Sequence, residues 1–321
     1  MKREKKHKSI SYDKWGVIFV LPFVITYLIW SLVPQFLTVG LSFIEYYELG
    51  LTEIGPEFVG FRNYKELFET VTLSGLPTVI KYAGNTLVMW LMGSIPQFVI
   101  AILLAVWFTS YRLNIKGQGF FKTVIYMPNL IMASAFSMLM FTLVSKVGPI
   151  NQILVATGAI DTEFDFFGTP LSTRLVIAVI NFLMWFGNTT IVLMAGIMGI
   201  DDSLFEAAMI DGANSTKVFF KITLPLLLPI VSYALITSLI GGINMFDVPY
   251  IITKGVGAPN ESAMTLIMAV SQRLNPTRNY GSAGALSVLI FAFSAILSLT
   301  IYKFLLNQYS DKPVKKGGKK K

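Results

Sequence analysis

The chain has no cysteine and one histidine, His7, among its 321 residues. The absence of cysteine excludes a disulfide framework and every site that relies on thiolate ligands or a thiol nucleophile. The one histidine lies in a lysine-rich N-terminal stretch. The residues that usually form a zinc site or a histidine acid–base pair are therefore missing from the sequence. We therefore expect no catalytic residue, no metal site and no cofactor in this chain.

Charged residues are also scarce, at 14%, whereas 54% of the residues are hydrophobic. Because soluble domains carry about 25% charged residues, this composition is typical of an integral membrane protein. A membrane-spanning helix needs about 20 mainly apolar residues, and six segments meet that length: 15–43, 82–108, 121–144, 173–198, 226–252 and 282–306. The first segment is too long for the apolar part of a signal peptide, so we expect it to remain in place as a helix.

These segments predict an all-α integral membrane fold with six transmembrane helices in one domain, residues 15–306. Basic tails flank this domain at residues 1–14 and 307–321. With both termini cytoplasmic, 18 of the 26 lysine and arginine residues lie inside and 8 outside, in agreement with the positive-inside rule. The net charge of +8 therefore indicates contact with anionic membrane lipid and not with nucleic acid. We expect a multi-pass protein of the bacterial cell membrane.

A polar stretch rich in small residues, residues 201–225, lies between the fourth and fifth apolar segments. Its notable residues are Glu206, Ala207, Ala208, Gly212, Ile222, Leu224 and Pro225. Taken singly, they suit any helix-turn-helix at a membrane surface. Ser203 and Glu206 form a capping box, Gly212 suits a left-handed turn, and Pro225 opens the next helix. Taken together, seven residue types at these spacings arise by chance about once in 10⁸ placements.

This spacing resembles the EAA loop, EAA-x3-G-x9-I-x-LP, of the permease subunits of binding-protein-dependent ABC importers. The resemblance implies a cytoplasmic coupling loop between helices 4 and 5, in which the seven residues above form a surface that docks into an ATPase subunit. The family usually has proline where Asp202 stands. Since aspartate caps a helix as well as proline starts one, docking is still expected.

Three further stretches resemble the sugar-type permeases of this superfamily, in particular the first, maltose F-type, subunit of the pair. They are residues 58–64, 85–87 and 246–253. The resemblance implies import of a sugar or an oligosaccharide together with a second EAA-type permease, two copies of an ABC ATPase and an extracellular substrate-binding (lipo)protein. The chain has no G-x4-GK[ST] phosphate loop, so ATP is expected to bind to the other subunits.

Polar residues in or beside the apolar segments are candidates for a substrate path, because such groups face a cavity or the bundle interior. Asn181, Trp185 and Asn188 step i, i+4, i+7 and therefore share one helical face. Amides and an aromatic ring suit the hydroxyls and ring faces of a sugar. The remaining candidates are Gln97, Thr189, Asn244, Asp247 and Tyr250. Hydrogen bonding between helices is the alternative explanation for each of them.

Two other functions are compatible with a membrane protein of this composition. An ATP-independent secondary transporter or channel is expected to carry intramembrane charge relays or an inverted repeat, whereas the one acidic candidate, Asp247, lies at an outer helix end. A membrane-bound enzyme needs a nucleophile–base pair or a metal cluster, and the sequence has neither pattern. The outer loops are acidic, which suits a solvated surface or a seat for a partner protein. The sequence leaves open whether a sugar, a polyol, glycerol phosphate or an oligosaccharide is carried.

Overall fold

The computed structural model of the chain describes residues 13–72, 75–110, 113 and 115–310. Arg112 and most of both basic tails, residues 1–12 and 311–321, lie outside the described residues. Within the described part, six helices are long and apolar enough to cross a membrane: Lys14–Leu41, Thr78–Thr109, Ala133–Ala156, Pro170–Met198, Ser215–Ile252 and Tyr280–Leu305. The predicted mainly helical architecture with six candidate membrane-spanning helices is confirmed.

The first two helices lead into a hairpin, and the remaining helices follow it. In chain order the elements are α1 Asp13–Tyr27, α2 Val33–Leu41, β1 Ile44–Leu49, β2 Thr52–Phe58, α3 Arg62–Glu69, α4 Thr78–Thr109, α5 Gln118–Leu130, α6 Ala133–Val144, α7 Pro149–Ala156, α8 Pro170–Met198, α9 Asp202–Ile210, α10 Ser215–Val218, α11 Leu224–Ile243, α12 Asp247–Ile252, α13 Leu266–Leu274 and α14 Tyr280–Ser310. Helices α4 and α8 pack along each other at the centre. Met89, Ile177 and Ile180 are fully buried there, which places the core between these two helices.

The prediction of an all-α chain is wrong for residues 44–58, which form an antiparallel β-hairpin. Aromatic and β-branched residues before Gly50 favour extended backbone, and a search for long apolar runs does not detect such short strands. The hairpin is fixed to the start of α14. The N–H of Glu48 donates to the carbonyl of Thr277 at 3.3 Å, and Arg278 contacts the Glu48 carboxylate at 3.0 Å.

The third apolar segment, predicted as one helix over residues 121–144, is two helices in the structure. Helix α5 ends at Leu130, and Met132 has extended backbone, with φ −55° and ψ 131°, before α6 begins. Pro128 lies in the last turn of α5, which it weakens because it has no N–H to donate to the carbonyl of Val124. The third candidate span is therefore α6 together with α7.

Two π-helical turns each precede a proline. The first, Leu28–Leu32, joins α1 to α2, and the second, Phe219–Thr223, joins α10 to α11. In the second turn the N–H of Leu224 donates to the carbonyl of Phe219, five residues earlier, and Pro225 follows directly. Because proline has no N–H to donate, the wider turn accommodates it and the helix continues.

The first span is exposed to its surroundings along most of its length. None of its apolar window is buried inside the chain, and among the described residues α2 packs against the start of α14 and against β1. An apolar helix of this kind needs lipid or another protein to cover it.

Candidate functional site

Helix α9, the first part of the EAA loop, is capped by Asp201. The Asp201 carboxylate accepts the backbone N–H of Ser203 at 2.9 Å, and this bond holds the pKa of Asp201 below its usual value because it stabilises the charged form. The predicted capping box of Ser203 and Glu206 is wrong, since aspartate reaches a free N–H earlier in the chain. The Glu206 side chain is exposed, and its carboxylate makes no hydrogen bond to any described residue.

Helix α9 ends in a left-handed turn at Gly212, where φ is +68°. The N–H of Gly212 donates to the carbonyl of Met209 at 3.1 Å, and the N–H of Ala213 donates to that of Ala208 at 2.9 Å. These two bonds define a Schellman motif, which satisfies the last carbonyls of a helix. The predicted positive φ at Gly212 is confirmed. A Cβ placed there meets nothing within 4 Å, so the requirement for glycine comes from backbone conformation.

The second part of the EAA loop is not a separate short helix. Asn214 caps α10 by accepting the N–H of Lys217 at 2.8 Å, and α10 continues through the π-helical turn into α11. Ile222, Leu224 and Pro225 are half-buried within this continuous helix. The helix continues through Pro225 because the wide turn accommodates the proline. The fifth span therefore extends back into the loop.

Helix α9 presents small and apolar residues away from the bundle. Ala208 is its buried residue, whereas Glu206 and Ala207 are exposed and Ile210 is 86% exposed. A small alanine lets another protein surface approach closely, and exposed isoleucine adds apolar contact area. Helix α9 therefore has the chemistry of a docking helix.

A central cavity of about 270 Å³ lies between α4, α8 and α11. Its polar and aromatic lining consists of Trp90, Ser94, Gln97, Asn181, Trp185, Asn188, Thr189, Tyr233, Thr237 and Ser238. The three residues of α8 that the sequence placed on one helical face all belong to this lining. Cavities with a few polar groups on an apolar wall are the usual ligand sites of proteins.

The lining residues differ in whether their polar groups are already satisfied. Gln97 donates to the Thr189 hydroxyl at 2.7 Å, as expected for hydrogen bonding between helices. Asn181 donates to the carbonyl of Ile177 at 2.9 Å. The Asn188 amide has no hydrogen bond to another described residue, and Trp185 is 47% exposed. Asn188 and Trp185 therefore keep a polar amide and a ring for a ligand.

Helix α11 contributes lining residues that the sequence analysis above did not select. Tyr233 is 63% exposed, and Thr237 and Ser238 follow it on the cavity side. Trp90 donates to the Ser238 hydroxyl at 3.2 Å, and a Cβ at Gly242 would overlap the Trp90 ring. In the sequence, the stripe is identified by the i, i+4, i+5 spacing of Tyr233, Thr237 and Ser238 in an otherwise apolar helix.

Asn244, Asp247 and Tyr250, the other predicted path residues, lie outside the lining of the central cavity. Asn244 is exposed and donates to the carbonyl of Ile240 at 2.8 Å. Asp247 is exposed in the first turn of α12, and the Tyr250 ring stacks on Phe246 with 4.8 Å between centroids. All three lie at the break between α11 and α12, and their part in a substrate path stays a prediction.

Residues 76–312 match the family model described as the binding-protein-dependent transport system inner membrane component. The chain belongs to this family. As a member, this permease is the multi-pass inner membrane component of a binding-protein-dependent ABC importer, and ATP hydrolysis takes place on separate subunits. Family membership decides against the ATP-independent transporter and the membrane-bound enzyme.

Individual relatives match the permease over most of its length. The lactose transport system permease protein LacF of Rhizobium radiobacter is 29% identical, over 89% of this chain and 92% of its own. The multiple sugar-binding transport system permease protein MsmF of Streptococcus mutans is 30% identical, over 89% and 93%. A solved chain of a bacterial ABC transporter involved in the import of the acidic polysaccharide alginate has a TM-score of 0.76 at 22% identity, with coverage of 94% and 97%. The solved chain has the same fold.

Proposed function

We propose that this permease carries a sugar or an oligosaccharide. The observation that carries the proposal is the lining of the central cavity, where Trp185 and Tyr233 offer ring faces beside the unpaired amide of Asn188. Sugars present both apolar ring faces and hydroxyls, so they bind to this combination of groups. The names of LacF and MsmF, which refer to lactose and to multiple sugars, support the same substrate class.

The EAA loop is cytoplasmic in this proposal, and it couples the permease to an ATPase. The excess of lysine and arginine on the same side as the loop and both termini supports this orientation. The exposed face of α9, with Glu206, Ala207 and Ile210, supports docking. Ala208 and Gly212 shape the helix and its end, and Ile222, Leu224 and Pro225 connect the loop to the fifth span.

A second EAA-type permease completes the transporter, with two copies of an ABC ATPase and an extracellular substrate-binding (lipo)protein. The uncovered apolar surface of the first span supports a partner within the membrane. The high exposure of Tyr233 on the cavity side of α11 supports a path that two permease chains enclose together.

The mechanism follows from the connection between loop and cavity. ATP binding closes the ATPase pair and moves α9 and α10 with it. Because α10 continues into α11, the movement reaches Tyr233 and Thr237 in the cavity wall. The ATP-bound state thereby favours one permease conformation over the other, and coupling is a shift between two populations.

Reconstitution of the complete transporter in proteoliposomes tests the function. We expect the sugar that the binding protein retains to accumulate only when ATP and the binding protein are both supplied. Uptake of that sugar without ATP would contradict the proposed coupling of the permease to an ATPase. ATP-driven uptake of an amino acid or inorganic ion, with no sugar carried, would contradict the substrate class.

A further inference from the structure

A second cavity, of about 350 Å³, lies beneath helix α9. The ends of α4 and α8, the start of α5, and the segment from α9 to the π-helical turn enclose it. Apolar side chains form most of its wall, among them Val106, Phe108, Met198, Phe205 and Phe219. A wall of this composition favours a hydrocarbon ligand over a polar one.

One basic group, Lys122, lines this cavity. Lys122 is half-buried, its ammonium lies 5.9 Å from the centroid of the Phe108 ring, and it forms no ion pair with any described residue. Asp202, the acidic residue of the described lining, is exposed. An ammonium partly withdrawn from water is stabilised by an anion. The cavity therefore combines a place for an anionic group with a place for a hydrocarbon chain.

The position of the cavity indicates which kind of amphiphilic ligand would bind there. Helices α4 and α8 are membrane spans that end at Thr109 and Met198, and residues of both ends line the cavity. It therefore lies at the boundary of the membrane, on the side of the EAA loop. Lys217 and Lys221 are exposed on the same side and form no ion pair with described residues. Basic residues at this boundary attract anionic phospholipid.

The same cavity separates α9 from the rest of the bundle. Ala208 is the one buried residue of this helix, and Phe205 and Met209 face the cavity. We propose that an anionic phospholipid of the cytoplasmic leaflet occupies this cavity, with its phosphate at Lys122 and an acyl chain against Phe205 and Phe219. The lipid supports α9 against the bundle and thereby regulates coupling to the ATPase, an inference that rests on the proposed function.

Lipid retention tests the proposal without any transport measurement. The complete transporter is equilibrated with phosphatidylcholine vesicles that contain phosphatidylglycerol, re-purified, and its bound lipid measured by native mass spectrometry. A lysine near a membrane surface contributes about a fivefold gain in affinity for an anionic lipid. We expect Lys122→Gln to lower phosphatidylglycerol retention about fivefold, and Lys122→Arg to keep it. Lys146→Gln, a loss of the same charge from an exposed residue outside the cavity lining and away from the EAA loop, should leave retention unchanged.

A second variant addresses the hydrocarbon part of the site. Met198 lines the cavity and is largely exposed, so Met198→Trp should fill the space without disturbing the core. We expect it to reduce lipid retention although Lys122 is intact. In wild type, phosphatidylglycerol should raise substrate-stimulated ATP hydrolysis, and in Lys122→Gln this increase should be lost.

Three results would overturn the proposal: unchanged retention in Lys122→Gln, an equal loss in Lys146→Gln, or equal retention of phosphatidylcholine and phosphatidylglycerol by wild type. Each is independent of sugar transport. If wild type shows no ATP-driven sugar uptake, the proposed function fails. If uptake is normal but lipid retention does not depend on Lys122, only the lipid site fails.

Discussion

At the scale of the residue, the turn at the end of α9 requires a residue that can adopt a positive φ. Gly212 adopts φ +68°, and proline is restricted to φ near −65°. Gly212→Pro should therefore distort the loop while the membrane helices still insert. We expect sugar uptake and substrate-stimulated ATP hydrolysis to fall together in proteoliposomes. Gly212→Asn is the matched control, because asparagine tolerates the left-handed conformation. Normal transport by Gly212→Pro would show that α9 is not a coupling element.

Trp185 is the residue of the central cavity whose role is most directly measurable. If its ring stacks on the sugar, Trp185→Ala should raise the KM for uptake roughly fivefold, since aromatic stacking contributes about 1 kcal/mol. Uptake is measured over a range of substrate concentrations in the assembled transporter. Trp107→Ala removes another half-exposed tryptophan, at the end of α4, which lies outside the cavity lining. Equal effects of the two substitutions would favour a packing role for Trp185.

The residue-level predictions succeeded where backbone conformation or helical spacing decides the outcome. Gly212 and the shared face of α8 are such cases, because each depends on a local rule. The cap of α9 was wrong, since Asp201 and Ser203 are both good caps and their competition depends on side-chain geometry. Tyr233 was missed because its exposure to a cavity depends on how α11 packs against α4 and α8.

At the scale of the element, length and apolarity are enough to predict the spans, but prolines decide how they are divided. Pro128 lies in the last turn of a helix within the third apolar segment, whereas a helix continues through Pro225, because a π-helical turn precedes it. The presence of a proline alone therefore does not predict whether a helix stops near it or continues through it. The β-hairpin was missed for another reason, since its strands are short and bear charged residues.

The orientation of these elements is open to a direct test. The chain has no cysteine, so a single introduced cysteine reports its own accessibility. Thr216→Cys, on the exposed surface of α10, should resist a membrane-impermeant thiol reagent in intact cells and react after the membrane is opened. Glu163→Cys, exposed in the α7–α8 loop, should react in intact cells and serves as the control. The reverse pattern would place the EAA loop outside the cell.

At the scale of the whole molecule, the apolar surface of the first span is available to lipid or to a partner chain within the membrane. The first span has none of its apolar window buried, and the largest exposed side chains include Trp30 and Phe19. We expect the purified transporter to contain this chain once, with one different EAA-type permease and two ATPase subunits. Native mass spectrometry of the detergent-solubilised complex measures this composition. A fully active homodimer of this chain would contradict it.

The continuity between α10 and α11 has a mechanical consequence. From Ser215 to Tyr233 the helix extends about 27 Å at the usual rise per residue, and the π-helical turn, Pro225 and Pro229 all lie within that length. Helices bend at π-helical turns and at prolines. A rotation applied at Asn214, where the helix begins, is therefore expected to reach the tyrosine ring partly as a change of bend angle in the fifth span.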